Sequence, residues 1–157
     1  MRITRRLEFD AGHRIPNHAS RCRHLHGHRY AIEITLGGEL VAVAGDPRQA
    51  MIMDFAEVSA IARRELVDAW DHAFLAWRED REVLRFLATI PEHRTVVFEL
   101  PPTAEHLAHT AFATLARAYH NHFGNELRLE RVRLYETPNC WADVDNVRTQ
   151  LHGYSPN

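Results

Sequence analysis

The chain contains no lysine: all 19 of its cationic residues are arginine, set against 21 acidic residues in a length of 157. The formal net charge of −2 argues against a nucleic-acid binder, whose phosphate contacts need a basic surface. Cysteine is scarce. Cys22 and Cys140 are the only two, a poor set of staples for this length, so a reducing cytoplasm is the expected compartment. A Cys22–Cys140 disulfide is the minor reading. No apolar run approaches the ~18 residues of a membrane span, and the charged stretch Met1 to Asp10 lacks a signal-peptide core. Repeats, linkers, low-complexity tracts and a dinucleotide-binding fingerprint are all missing. What is left is a single domain, large enough to bury roughly two-thirds of the surface of its unfolded chain.

Histidine is abundant by contrast. Five of the twelve, at positions 13, 18, 24, 26 and 28, fall in one short segment. Uniform scatter would place about one there, so the cluster needs a cause.

Hydrophobic periodicity outlines the elements. Residues 3–13 alternate, with Ile3, Leu7, Phe9, Ala11 and His13 on one face. Residues 26–36 alternate too, with His26, His28, Tyr30, Ile32, Ile34 and Leu36 together, and the strand can extend to Val43. Asp54 caps a helix with the buried stripe Val58, Ile61, Ala62, Leu66 and Ala69. Residues 78–89 read as a short helix and Thr95–Glu99 as a strand. Thr103 then caps a long helix, with Glu105 in its first turn, the apolar face Ala108, Phe112, Leu115, Tyr119 and Phe123, and Gly124 as its stop. Residues 127–136 form a strand whose apolar face changes phase, which predicts a bulge near Glu130–Arg131. Trp141 to Val144 is a last short strand, and the tail from Gln150 looks loosely held. The class is α+β: two strands, two main helices, two strands.

Antiparallel pairing of the first two strands brings His13 beside His26 and His28. His-x-His on a strand points both imidazoles the same way, ~6–7 Å apart along the backbone, and His13 supplies a third nitrogen. Three neutral imidazoles with an open fourth position describe a catalytic zinc site. Gly27 removes a side chain between the ligands and lets the backbone turn. Cys22, in the connecting loop, is either a small buried hydrophobe or a thiolate favoured by Arg21, Arg23, His24 and a nearby metal. Asp71-His72 reads locally as a polar pair ending a helix. Glu136 lies on a core face and needs a partner, either an arginine or a ligand with paired N–H donors. Arg14, Arg21, Arg23 and Arg29 crowd the histidine loop and suit an anionic ligand. His18, His93, His106, His109, His120, His122 and His152 read as surface or helix-face residues.

Six motifs occur together in order: Phe-Asp-Ala-Gly-His13, Cys22-Arg-His-Leu-His26-Gly-His28, Met-Asp54-Phe, Asp71-His72, Pro-Thr103-Ala-Glu105 and Tyr-Glu136-Thr137. In these the chain resembles the 6-pyruvoyltetrahydropterin synthase family from residue 9 to about 145. The short Cys-to-His gap resembles the bacterial, carboxy-forming branch of the queuosine pathway. The resemblance implies a tunnelling fold: a four-stranded antiparallel sheet with two helices on one side, closing as trimers that stack into a homohexamer. It implies zinc held by His13, His26 and His28, Cys22 as general base, and Asp71 with His72 as an acid/base pair from a neighbouring subunit. Glu136 matches the pterin-anchoring carboxylate, and Thr103 and Glu105 match positions lining that pocket. The implied reaction converts dihydroneopterin triphosphate to 6-carboxytetrahydropterin, with loss of acetaldehyde and triphosphate.

The chain departs from the family pattern in places. Trp70 replaces an aliphatic residue before Asp71, Ala76 stands where Asn is usual, and Gly12 precedes His13 in place of Ala. Residues 76–101 form a longer segment than in compact members. Two rivals stand beside the implied activity: a pyruvoyl-forming synthase on the same site, and a non-catalytic pterin- or metal-binding module.

Overall fold

The computed structural model describes residues 1–146, so the predicted loose tail and His152 lie outside the described residues. One mixed sheet of six strands carries the fold, in the order β4-β3-β1-β2-β5-β6. Strand β1 (Arg2–His13) pairs antiparallel with β2 (His26–Gly38), and β2 pairs antiparallel with β5 (Leu127–Thr137), which pairs with β6 (Cys140–Asp145). These are the four antiparallel strands of the expected fold. Two parallel strands extend the other edge, β3 (Ala73–Trp77) against β1 and β4 (Thr95–Phe98) against β3. Periodicity had indicated β4 but not β3, whose five residues, Ala73 to Trp77, show no alternation.

One face of the sheet is apolar. Leu7, Phe9, Tyr30, Ile32, Ile34, Leu36, Val132 and Leu134 are all buried there, each such aliphatic or aromatic side chain contributing about 1.5–3 kcal/mol relative to exposure. Helices cover this face. The first, α1 (Phe55–Ala62), starts at Asp54, whose carboxylate accepts from the Ala56 amide at 2.7 Å. It continues through a π-helical turn (Arg63–Val67) and a closing α-turn (Asp68–Trp70). That wider turn adds a residue to the repeat, so the buried stripe runs Ile61 and Ala62, then Leu66 and Val67, then Trp70. Trp70 therefore enters the core in place of the expected Ala69, which is exposed.

A short helix, α2 (Arg81–Leu87), sits in the 76–101 segment as expected. The long helix α3 (Ala104–Phe123) is capped by Thr103, whose hydroxyl accepts from the His106 amide at 3.3 Å. It ends at Gly124, where φ is 59°, a conformation that glycine adopts without strain. Leu107 and Ala111 join its buried face, while Phe112 and Phe123 are only partly buried. The predicted bulge falls at Glu130, since Thr35 pairs with Arg131 and Leu36 with Leu129. The extra residue tucks a carboxylate inward, where Arg128 meets it at 2.9 Å and Arg2 also pairs with it. Strand β2 stops at Gly38 and does not reach Val43; beyond it, Val41 and Met51 exchange loop hydrogen bonds with the neighbouring backbone. Among the described residues no helix is long and apolar enough to cross a membrane.

Candidate active site

The hairpin register places His13 opposite His26, and Ala11 opposite His28. All three histidines project to the helix-covered face at one end of the sheet. Their ring centroids lie 4.5 Å (His13–His26), 5.1 Å (His13–His28) and 4.9 Å (His26–His28) apart. One ring nitrogen from each lies within 4.8 Å of the others, within reach of a single ion. Gly27 lies between them in regular strand and makes no turn. Its contribution is space, because a Cβ there would come within 3.0 Å of the Ala11 carbonyl oxygen.

Neighbouring carbonyls orient the rings. His13 Nδ1 donates to the Pro102 carbonyl at 2.9 Å, and His26 Nδ1 to the His24 carbonyl at 2.7 Å. A carbonyl can only accept, so in the neutral tautomer each Nε2 keeps its lone pair for something else. The buried Nε2 atoms of His13 and His28 have no hydrogen-bond partner among the described residues. Burial lowers the His13 pKa to about 4, assisted by the neighbouring His26 and His28, and burial also lowers that of His28. Three ring nitrogens within reach of one point, with two of the rings held through Nδ1 by carbonyls, are the kind of donor set a zinc-type ion takes. The residues fit a metal.

Glu136, near the end of β5, brings its carboxylate to 3.5 Å from His13 Nε2 and stays partly exposed. No arginine meets Glu136 among the described residues, and the facing His13 Nε2 has no proton to give it in the neutral ring, so the carboxylate is left for a ligand with N–H donors. Cys22 is half-buried in a 3-10 turn (Arg21–Arg23), and its carbonyl accepts from the Ile15 amide at 2.8 Å. Burial raises the pKa of the Tyr30 hydroxyl, with Glu136 and Cys22 adding to it in the same direction. Both cysteines are free, so the Cys22–Cys140 disulfide does not form.

Asp71 and His72 sit elsewhere. Asp71 leaves the closing helical turn, and His72 adopts φ 55°, which turns the two side chains together at 3.0 Å. Asp71 also accepts the Asp10 amide at 2.9 Å, the main cause of its lowered pKa. Asp10 alternates with Ala11 along β1, so its side chain points away from the triad's face. His72 lines an open cavity of about 570 Å³ with Asp10, Gly12, His28, Arg29, Phe74 and His93. Among the described residues no hydrogen bond or ion pair joins this pair to Cys22. Thr103 stands next to Pro102 at the helix start beside His13. Glu105 is exposed, and no contact among the described residues joins it to the triad.

Two of the four loop arginines are engaged. Arg14 binds Asp80 through two nitrogens and reaches Glu82, and Arg29 forks onto Asp10. Arg21 and Arg23 are exposed, with no carboxylate partner among the described residues. Sequence reasoning missed Pro102, which orients His13, and Asp80, which anchors Arg14. A carbonyl leaves no trace in a side-chain pattern, and Asp80 falls inside the expected helix 78–89, whereas the structure starts that helix at Arg81 and makes Asp80 its cap. It also took Tyr30 simply as part of the apolar face.

Comparisons with known proteins identify the family and the fold. A family model described as 6-pyruvoyl tetrahydropterin synthase matches residues 2–147. The 6-carboxy-5,6,7,8-tetrahydropterin synthase of Rickettsia felis is 31% identical over 145 residues, covering 92% of this chain and 99% of its own. The Haemophilus influenzae protein of the same name is 26% identical over 144 residues, covering 90% and 96%. Among solved structures, an uncharacterized protein from Wolinella succinogenes superposes with TM-score 0.75 at 21% identity, covering 93% of this chain and 98% of its own. Caenorhabditis elegans 6-pyruvoyl tetrahydropterin synthase does so with TM-score 0.63 at 23% identity, covering 93% and 95%. At those identities the structural likeness speaks for a common fold, here the tunnelling fold. With the family model spanning nearly the whole sequence and the same fold in its structural neighbours, the chain belongs to the 6-pyruvoyl tetrahydropterin synthase family.

Proposed function

We propose that the protein is a zinc-dependent lyase acting on 7,8-dihydroneopterin triphosphate. It forms 6-carboxy-5,6,7,8-tetrahydropterin and releases acetaldehyde and triphosphate, with one water consumed to balance the new carboxylate. The observation that carries the reading is the histidine triad, with two buried and unpartnered Nε2 atoms beside Glu136. Relatives named for this product, matched along almost their full length, support the choice of reaction.

His13, His26 and His28 would hold the metal, which when bound supplies Lewis acidity toward oxygens on the pterin side chain. Glu136 accepts hydrogen bonds from the pterin ring N–H and amino group, fixing the ring beside the triad. Cys22, as thiolate, takes a proton from the side-chain carbon or hydroxyl. Asp71 and His72 return or relay a proton, and in line with the family resemblance they do so in a neighbouring copy's site, since no contact joins them to Cys22 among the described residues of one chain. A homohexamer with sites between subunits is the assembly we assign, in a cytoplasmic enzyme of queuosine-type biosynthesis. Thr103 and Glu105 complete the pocket wall at the start of α3.

The pyruvoyl-forming reaction would use the same triad, and the Cys22-to-His26 spacing supports the carboxy-forming one. Release of triphosphate is the test of the reaction class. Metal-stripped protein should be inactive, and zinc should restore triphosphate release. A zinc-loaded protein that binds the substrate without releasing triphosphate would make it a binding module.

A further inference from the structure

Tyr30 follows His28 by two residues on the same face of β2, so its ring forms the layer beneath the imidazoles. It stacks on Phe9, with centroids 5.2 Å apart and planes 10° from parallel, and meets His13 and His28 edge-on at 5.9 and 5.6 Å. The side chain is completely buried, yet its hydroxyl has no hydrogen-bond partner among the described residues. The molecule supplies its own comparison. Tyr119 is equally buried, and its hydroxyl donates to the Val58 carbonyl at 2.9 Å. Packing alone would accept phenylalanine at position 30, since an unmatched buried hydroxyl costs stability that the bare ring does not.

The ring meets His13, whose Nε2 lies 3.5 Å from the Glu136 carboxylate, so the phenol stands at the same end of the sheet as the triad and the anchoring carboxylate. A phenol there is a donor in search of an acceptor. The pterin edge that Glu136 grips presents N–H donors, which a phenol donor does not complement. Acceptors on such a ligand are the oxygens of its side chain, beside the imidazoles.

We propose that Tyr30 donates a hydrogen bond from Oη to a side-chain oxygen of a pterin held against the triad, and so selects ligands oxygenated at that position. The inference rests on the pterin reading above. Its test is Tyr30→Phe in the zinc-loaded protein, titrated with 7,8-dihydroneopterin and with 6-methyl-7,8-dihydropterin, which has no side-chain oxygen. Affinity for dihydroneopterin should fall about five- to tenfold, while that for the methyl compound stays unchanged. Zinc content should not change, and the melting temperature of the ligand-free protein should hold or rise, because an unmatched buried group has been removed. Unaltered dihydroneopterin affinity, an equal loss for both pterins, or a lowered melting temperature would each overturn the inference. If the unmodified protein binds neither pterin, the functional reading falls and the inference with it. Wild-type binding with an indifferent Tyr30→Phe removes the inference alone.

Discussion

Arg14 and Asp80 grip each other across 66 residues of sequence, through two N–H···O bonds of 2.6 Å. Arg14 is the residue after His13 of the candidate metal site, and Asp80 caps the helix of the 76–101 segment. The added segment is thereby tied to the end of the strand that carries the triad. Asp80 is buried, and its carboxylate raises the pKa of the Arg14 guanidinium. Removing one partner of such a pair leaves the other uncompensated. Asp80→Asn should therefore cost about 2–3 kcal/mol, read as a lower urea midpoint. An unchanged midpoint would show that the segment is not anchored there.

Arg14 and Arg29 already hold carboxylates, so if the proposed triphosphate substrate is right, Arg21 and Arg23 are the loop cations left to bind it. Arg21→Gln and Arg23→Gln should each raise KM for the triphosphate about three- to tenfold, with a larger effect at low salt. Binding of unphosphorylated dihydroneopterin should not change. Equal weakening of both ligands would assign these arginines to the pterin or to the fold.

Acid should destabilise the metal-free protein through His13. Its folded pKa of about 4 lies below the unfolded value of 6.5, so the folded state binds the proton less readily. The stability this contributes is complete above pH 6.5 and is lost as the pH falls from there to about 4, a change of about 3 kcal/mol. His28 adds to it in the same direction. Denaturation of metal-free protein at several pH values would reveal the slope, and His13→Gln should flatten it.

Metal and chemistry should separate by mutation. Cys22→Ala should keep its zinc and lose turnover by at least about a hundredfold, whereas His28→Ala should lose both. A metal-replete His28→Ala would contradict the ligand assignment.

The legible parts of the fold were those governed by period. Alternation located β1 and β2, and with them the His13–His26 register that builds the triad. The phase change in β5 pointed to the bulge at Glu130. Where local period was broken, sequence reasoning lost the thread. The π-helical turn shifted the buried stripe from Ala69 to Trp70, which packs edge-on to Phe9 and Phe98 at 5.9 and 5.5 Å. Trp70→Ala should accordingly cost about 3–5 kcal/mol, while Ala69→Ser should be nearly neutral in the same melting experiment. The site was legible as a set of side chains. Its supporting bonds were not, because the Pro102 carbonyl on His13 and the Asp10 amide on Asp71 depend on tertiary approach.

Identification of the product tests the central claim most directly. Zinc-loaded protein is incubated with 7,8-dihydroneopterin triphosphate, and the small molecules are resolved by mass spectrometry with a separate assay for acetaldehyde. 6-Carboxytetrahydropterin and acetaldehyde are expected in equal amounts. A 6-pyruvoyl product without acetaldehyde, or substrate recovered intact, would contradict the claim.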